Sequence, residues 1–302
     1  MSANDIGASQ RAYATRPPAN KAGYKCAADT SPHNAERSLI AGRHPYKSIM
    51  LKTFVIDGDK GGVGKSLAAR ALVHHYLSMP DAERPRIAVY DADLSNPDVC
   101  GEGGLKTGDG IMSTATLDLS TEDGWIAFGD RISMLAALAQ NSDVRLIVNM
   151  PAQIGTRAFD GSIHIVSEVL REANAIPVWM LSRTQESIRA LHYRLRSMGA
   201  RYTAGMVVKN LFFGSQDKFL LWDADILRQT LVMEGCWTEA VLPELNDQLA
   251  VVIGRRPFHD VLKSGIDGVP LAFGFRLALN SWLQRAAAAM AQVESISVAE
   301  VC

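Results

Sequence analysis

Residues 51–66 read LKTFVIDGDKGGVGKS, and this stretch decides the fold. Its first half is short, apolar and rich in β-branched residues, which is typical of a buried strand. Its second half is a glycine-rich turn that ends in Gly64-Lys65-Ser66, and residues 66–79 then space their apolar side chains for a helix. A strand, a glycine-rich loop and a helix in that order predict a cradle for phosphate groups.

The residue types in this loop suit a phosphate chain. The glycines let backbone amides approach an anion closely, and the helix that follows points its positive end at the same place. Lys65 supplies a charge for the β- and γ-phosphates, and Ser66 offers a hydroxyl to Mg²⁺. A chance glycine-rich turn is the alternative. The residues assigned to nucleotide binding here are Gly61, Gly62, Val63, Gly64, Lys65 and Ser66.

The loop departs from the general phosphate-loop pattern at its start. Asp59 stands where the first glycine is expected, and a second lysine, Lys60, precedes the glycine pair. In this form KGGVGKS resembles the deviant Walker A motif of the ParA/MinD/Mrp group of P-loop ATPases, in the SIMIBI class. The resemblance implies an ATP-dependent homodimer in which Lys60 acts catalytically by reaching the partner's phosphates. A solvated loop lysine is the alternative.

Two acidic residues stand at the end of the next predicted strand, residues 86–91: Asp91 is its last residue and Asp93 lies just beyond it. Carboxylates just beyond a strand end can hold Mg²⁺ through water and orient an attacking water. The resemblance therefore assigns Asp93 to hydrolysis and Asp91 to the metal shell. Simple capping of the loop is the alternative for both residues.

The predicted strand at residues 145–150 carries Asn149 where the family places its Walker B aspartate. An amide can still bind a metal-bound water, but it lacks the charge that retains Mg²⁺. Asn149 is therefore assigned to the metal site with turnover left open, so the expected enzyme is at most a slow Mg-dependent ATPase. Gly155 is assigned to a contact near the γ-phosphate or, alternatively, to a simple turn.

The resemblance extends over about residues 51–265 and assigns two further positions to the base. Asn210 follows the predicted strand at 203–209 and would read the adenine edge, with a plain turn asparagine as the alternative. Pro243 is the second residue of the segment 242–249, which resembles the family's loop packed against the base. ATP is the expected nucleotide, while adenine against guanine stays open.

Strands and helices alternate along the rest of the chain. Strands that are apolar on both faces, separated by helices, predict a doubly wound α/β fold with a mostly parallel sheet flanked by helices. Ligands of such folds bind where the strands' carboxyl ends meet. Further strands are expected at 175–181 and 237–242, and helices at 130–140, 160–173, 184–198, 218–233 and 271–292.

Composition narrows the class of protein. A net charge of −1 over 302 residues argues against a nucleic-acid footprint of the whole protein. Nonspecific DNA binding at Arg255 and Arg256 stays open beside a solvated basic pair. The 4 scattered cysteines favour a reducing cytosol over a disulfide framework or zinc site. No long apolar stretch or secretory signal is visible, and residues 271–292 are expected to pack on protein rather than on a membrane.

Residues 1–49 differ from the rest, with 7 Lys/Arg against 3 Asp/Glu and no apolar periodicity. We expect either a disordered basic tail or a segment upstream of a true start at Met50, and a P-loop domain over residues 50–302.

Three functions remain open from the sequence. The first is a ParA/MinD-type ATPase switch in plasmid or chromosome partitioning, positioning or conjugative transfer, with an adaptor or cargo partner. The second is a nucleotide-sensing scaffold with little hydrolysis. The third is a dethiobiotin-synthetase-like ligase or kinase, which would use an ordinary phosphate loop without Lys60.

Overall fold

The computed structural model describes residues 51–108, 110–152, 163–198 and 204–297. The tail at 1–49, Met50 and Gly155 lie outside these ranges, so the interpretations of them stay predictions. The strands within the described ranges are β1 (Leu51–Gly58), β2 (Arg86–Asp91), β3 (Ile111–Thr116), β4 (Val144–Asn149), β5 (Ala175–Leu181), β6 (Ala204–Asn210) and β7 (Cys236–Leu242). The longer helices are α1 (Lys65–Leu77), α2 (Glu122–Ala139), α3 (Ile163–Glu172), α4 (Gln185–Met198), α5 (Asp247–Ile253), α6 (Phe258–Ser264) and α7 (Phe273–Ala291).

The strands form one 7-stranded sheet in the order β3-β2-β4-β1-β5-β6-β7. Every neighbouring pair in it is parallel, which confirms the predicted fold class. The phosphate-loop strand β1 lies at the centre, hydrogen-bonded to β4 on one side and β5 on the other. All carboxyl ends therefore meet at one edge of the sheet, beside the start of α1.

Both faces of the sheet are covered. Alternate residues of β1 point to opposite sides: Phe54 and Ile56 join the core under α1, α6 and α7, while Val55 joins the core under α2, α3 and α4. Burial on both faces explains why the strands read as continuous apolar runs. This two-sided packing fixes the strand ends from which the site is built.

Three local predictions need correction. Strand β3 was not expected, because its sequence IMSTAT is polar and it lies at the edge of the sheet. Helix α2 begins 8 residues before the expected 130, because Thr121 caps it by accepting a hydrogen bond from the Gly124 amide. The single helix expected at 218–233 is instead two short helical turns, Leu220–Asp223 and Ile226–Arg228, followed by a π-helical turn, Gln229–Met233. The Asp225 carboxylate caps the second turn and so divides the segment.

The long carboxy-terminal helix packs on the protein itself. Helix α7 contacts α1 and β7, and it buries Leu279, Trp282 and Met290. Within the described ranges, no helix combines the length and the apolar character needed to span a bilayer.

Candidate phosphate-binding cleft

The glycine-rich turn between β1 and α1 has a backbone that only glycine adopts readily. Gly62 has φ 76° and Gly64 has φ 101°, both in the left-handed region. A Cβ on Gly64 would lie 2.4 Å from the Asn210 amide nitrogen, whereas a Cβ on Gly61 or Gly62 would meet nothing within 4 Å. The turn is therefore packed closely against Asn210 at Gly64 and is open at Gly61 and Gly62.

The open side of the turn faces a cleft of about 520 Å³. Its walls come from four places: the turn with the start of α1, residues 93–98 after β2, Ala152 after β4, and the loop after α5 around Arg255. No side chain caps the start of α1, whose N-cap is Gly64. The positive end of that helix is therefore available to an anion in the cleft.

Lys65 is buried in this wall, with only 4% of its surface exposed. Its Nζ donates to the Lys60 carbonyl at 3.1 Å. Burial lowers the pKa of Lys65, and the carboxylates of Asp57, Asp93 and Asp59 offset only part of that shift. An ammonium group without enough counter-charge favours the binding of an anion beside it.

The Lys60 side chain points toward Phe213 rather than into the cleft. Its Nζ lies 5.8 Å from the centre of the Phe213 ring, and its side chain is half-buried. Lys60 does not line the cleft, so its expected role on a partner's phosphates stays a proposal.

Asp91 and Asn149 face each other across β2 and β4, where their backbones are in register. The Asn149 Nδ2 donates to Asp91 Oδ1 at 2.8 Å and lies 3.5 Å from Ser66 Oγ. Asp91 Oδ1 also accepts from the Asp93 amide, while Oδ2 accepts from the amides of Val99 and Cys100. Asp91 is thus fully engaged in holding the turn after β2, and Asn149 supplies the donor that a second carboxylate could not.

Among the described residues, the oxygen at the other end of the Asn149 amide has no hydrogen-bond partner. This Oδ1 atom is buried, and a buried polar atom without a partner is rare. Reversing the amide would bring this oxygen against the Asp91 carboxylate, so the observed orientation is the favourable one. Among the described residues no group of three or more acidic, histidine or cysteine side chains could hold a metal alone. A Mg²⁺ site does not require such a group, because Mg²⁺ is usually held by one or two protein oxygens together with phosphates and water.

Asp93 both caps its own turn and lines the cleft. Its Oδ1 accepts from Ser95 Oγ at 2.8 Å and from the Asn96 amide at 3.2 Å, and 8% of the residue is exposed. The two interpretations made from the sequence are therefore compatible in this geometry.

The two positions expected to contact the base lie elsewhere. Asn210 is buried beneath the phosphate loop, where Nδ2 donates to the Val63 carbonyl and Oδ1 accepts from the Phe212 amide. The Pro243 carbonyl accepts from the Trp282 indole at 2.9 Å, which fastens that loop to α7. Neither residue lines the cleft, so their contacts with a base stay proposals.

Comparison with known proteins adds one sequence relative. The chain is 26% identical over 238 residues to Protein MobD of Acidithiobacillus ferrooxidans, covering 77% of this chain and 93% of that protein. No family model matches the sequence.

Solved structures with a similar course of the chain include two ATPases. A McdA–ATP complex from Cyanothece has a TM-score of 0.44 at 13% identity, covering 83% of this chain and 98% of that one. A ParA family ATPase from Chlorobium tepidum TLS has a TM-score of 0.34 at 14% identity, covering 83% and 94%. The resemblance to ParA-type P-loop proteins is carried by the deviant glycine turn and the all-parallel sheet around it. Similarities this low transfer no activity to the present chain.

Sequence reasoning missed part of this P-loop cleft. Arg70 and Asp98 line it, and Arg255 was weighed only as a DNA contact. One signal was available: Arg70 follows Ser66 by four residues, so the two share a face of α1.

Proposed function

We propose that this chain is a Mg-ATP-binding switch of ParA type that dimerises on ATP and hydrolyses it slowly. The supporting observations are the open glycine turn and the buried Lys65 of the cleft, together with the unpaired oxygen of Asn149, a residue whose Nδ2 lies 3.5 Å from the cleft residue Ser66; these are three separate fits to a magnesium–triphosphate group. Each of them would gain a partner from such a ligand.

The roles follow from position. Backbone amides of the turn and Lys65 Nζ would hold the phosphate chain, while Ser66 Oγ and, through water, Asn149 Oδ1 would hold the metal. Bound Mg²⁺ would supply neutralisation of the phosphate oxygens. Asp93, at the wall of the cleft, would orient the attacking water.

Thermal unfolding with and without Mg-ATP tests nucleotide binding. Ligand at about 100 times its Kd stabilises a fold by roughly 2.7 kcal/mol, which is a Tm rise of about 5–10 °C here. Lys65→Ala should remove most of this shift, whereas the exposed Lys263→Ala serves as a matched control. An unchanged Tm for the wild-type protein would refute nucleotide binding.

A second candidate, a nucleotide-sensing scaffold with little hydrolysis, is favoured by one observation. The buried centre at β2 and β4 holds a single carboxylate, Asp91, and its four hydrogen bonds leave it little capacity for metal. Phosphate release at saturating Mg-ATP separates the two candidates. Release that Asp93→Ala abolishes supports the switch, whereas release at background level in the wild-type protein supports the scaffold.

The dimer and the role of Lys60 form a distinct part of the proposal. Sedimentation with a non-hydrolysable ATP analogue should show a homodimer for the wild-type protein and for Lys263→Ala, and a monomer for Lys60→Ala. Equal dimerisation of the Lys60 variant would instead leave Lys60 as a loop residue beside Phe213.

The cellular role is proposed from the resemblance. We assign the chain to the cytoplasm, acting with an adaptor or cargo in partitioning, positioning or conjugative transfer, with the Asn149 substitution favouring a divergent mobile-element type. Neighbouring genes test this, because a centromere-binding partner, a transfer operon and a biosynthetic cluster indicate different processes.

Nonspecific DNA binding has little support, since Arg255 pairs with Asp98 and Arg256 with Asp267.

A further inference from the structure

Arg255 joins two walls of the phosphate cleft. It lies in the loop between α5 and α6, and its Nε is 2.5 Å from Asp98 Oδ1. Its Nη2 also donates to Asn96 Oδ1 at 2.9 Å. The guanidinium therefore connects its own loop to residues 93–98, the segment that also carries Asp93.

The backbone around Arg255 is held by a buried side chain, whereas the Arg255 side chain itself is held by the partly exposed contacts with Asp98 and Asn96. Arg70 of α1 donates from Nη1 to the Gly254 carbonyl at 2.8 Å and from Nη2 to the Arg256 carbonyl at 2.6 Å. Arg70 is 7% exposed, and its guanidinium stacks 4.4 Å from the centre of the Phe258 ring. The carbonyls on both sides of Arg255 are thus tied to the helix that begins at the phosphate loop.

The side chain of Arg255 is by contrast 46% exposed, and that of Asp98 is 28% exposed. Solvent screens such a pair, so it is weakly held compared with a buried one. A terminal phosphate carries more charge than a carboxylate and can accept two parallel hydrogen bonds from a guanidinium. A polyphosphate in the cleft can therefore compete with Asp98 for Arg255.

We propose that Arg255 binds the terminal phosphate of a nucleoside triphosphate in this cleft and, in doing so, releases Asp98, and with it residues 93–98, from the loop that carries Arg255. This inference rests on the proposed function and deepens it. Arg255 would then distinguish a triphosphate from a diphosphate. The same side chain would pass that difference on to residues 93–98, which carry Asp93.

Two opposite variants test this exchange. Affinities for ADP and for a non-hydrolysable ATP analogue are measured by titration with fluorescent nucleotides. Arg255→Ala should weaken the ATP analogue by about tenfold or more while leaving ADP within about twofold, because only the triphosphate loses a charge-assisted contact. Asp98→Ala should tighten the ATP analogue, because it removes the competitor.

Arg256→Ala is the matched control, since Arg256 is the neighbouring residue and pairs with Asp267 rather than with residues 93–98. Its nucleotide affinities should equal those of the wild-type protein. Circular dichroism melts confirm that each variant is folded before titration.

Two results would overturn the inference while leaving nucleotide binding intact. One is an equal loss of ADP and ATP-analogue affinity in Arg255→Ala. The other is unchanged nucleotide affinity together with weaker duplex-DNA binding in both arginine variants, which would place Arg255 on a DNA surface. Failure of the wild-type protein to bind either nucleotide is a separate outcome, because it refutes the proposed function itself.

Discussion

The side of the central sheet where the strands begin, here called the amino edge, differs from the side where they end, the carboxyl edge. The difference lies in how fully certain buried polar groups are paired. At the amino edge, Glu294 accepts from Arg145 Nε at 2.5 Å and from Tyr76 Oη at 2.6 Å, and its carboxylate lies 3.4 Å from Lys52 Nζ. At the carboxyl edge, Lys65 Nζ donates to the Lys60 carbonyl at 3.1 Å, and Asn149 Oδ1 has no partner in the part of the chain that the structure describes. Both edges bury charge, and the carboxyl edge holds one buried pair, Asp57 with Arg194 at 2.9 Å, but Lys65 there lacks enough counter-charge to offset its burial.

This difference separates stability from function. Buried polar groups that are fully paired hold the fold without help, while groups left unpaired lower stability until a ligand supplies the missing partner. The amino edge should therefore respond to substitution through stability alone. The carboxyl edge should respond chiefly through ligand binding, and replacing its under-satisfied Lys65 should have a small or even favourable effect on stability.

The largest effect is expected from Glu294→Ala. Removing this carboxylate takes an acidic partner from Arg145, which is 9% exposed, and from Lys52, which is 14% exposed and keeps its hydrogen bond to the Glu294 carbonyl. Because Glu294 itself is 26% exposed, we expect a loss of about 2–3 kcal/mol, below that of a fully buried pair. Urea unfolding measures it, with the exposed Glu244→Ala as control. A loss no larger than that of the control would show that the network does not stabilise the fold.

The same network gives a pH dependence. Burial alone would raise the pKa of Glu294, but hydrogen bonds from Arg145 and Tyr76 outweigh it, so the net pKa is lowered below 4.5. A lowered folded-state pKa contributes stability above the unfolded value and loses it as the pH falls through the folded value. The difference between the wild-type protein and Glu294→Ala should therefore shrink below about pH 4.5 and stay constant near neutrality.

The next largest effect on stability is expected from Asn149→Asp. It replaces the donor to Asp91 Oδ1 at 2.8 Å by a second carboxylate, so the pair must repel or take up a proton. We expect a loss of about 1–2 kcal/mol at pH 8 in EDTA, with a smaller loss at pH 5 because a proton can then be shared. The exposed Asn141→Asp is the matched control. Stability unchanged at pH 8 would mean that Asp91 does not need the amide.

Sequence reasoning reached the parts of this molecule that are local. The phosphate turn and the buried strands carry their signals in consecutive residues, whereas the polar edge strand β3 does not. The pairing of Asn149 with Asp91 joins positions 58 residues apart, and that of Arg255 with Asn96 joins positions 159 residues apart. Such contacts depend on strand order and loop docking, which no single stretch encodes. For that reason the substitution at Asn149 was noticed, while its compensation by the Asp91 contact was not.

The smallest effect, and one of opposite sign, is expected from Lys65→Met. Because burial lowers the pKa of Lys65, folding disfavours its charged form, and this penalty is present at neutral pH. It fades as the pH rises from the folded pKa toward 10.5. Without nucleotide the variant should thus equal or exceed the wild-type stability by up to about 1 kcal/mol at pH 7, with a smaller difference at pH 10. Urea unfolding at both pH values checks this. A clear destabilisation at pH 7 would show that the carboxyl edge is satisfied without a ligand, and the contrast between the two edges would be lost.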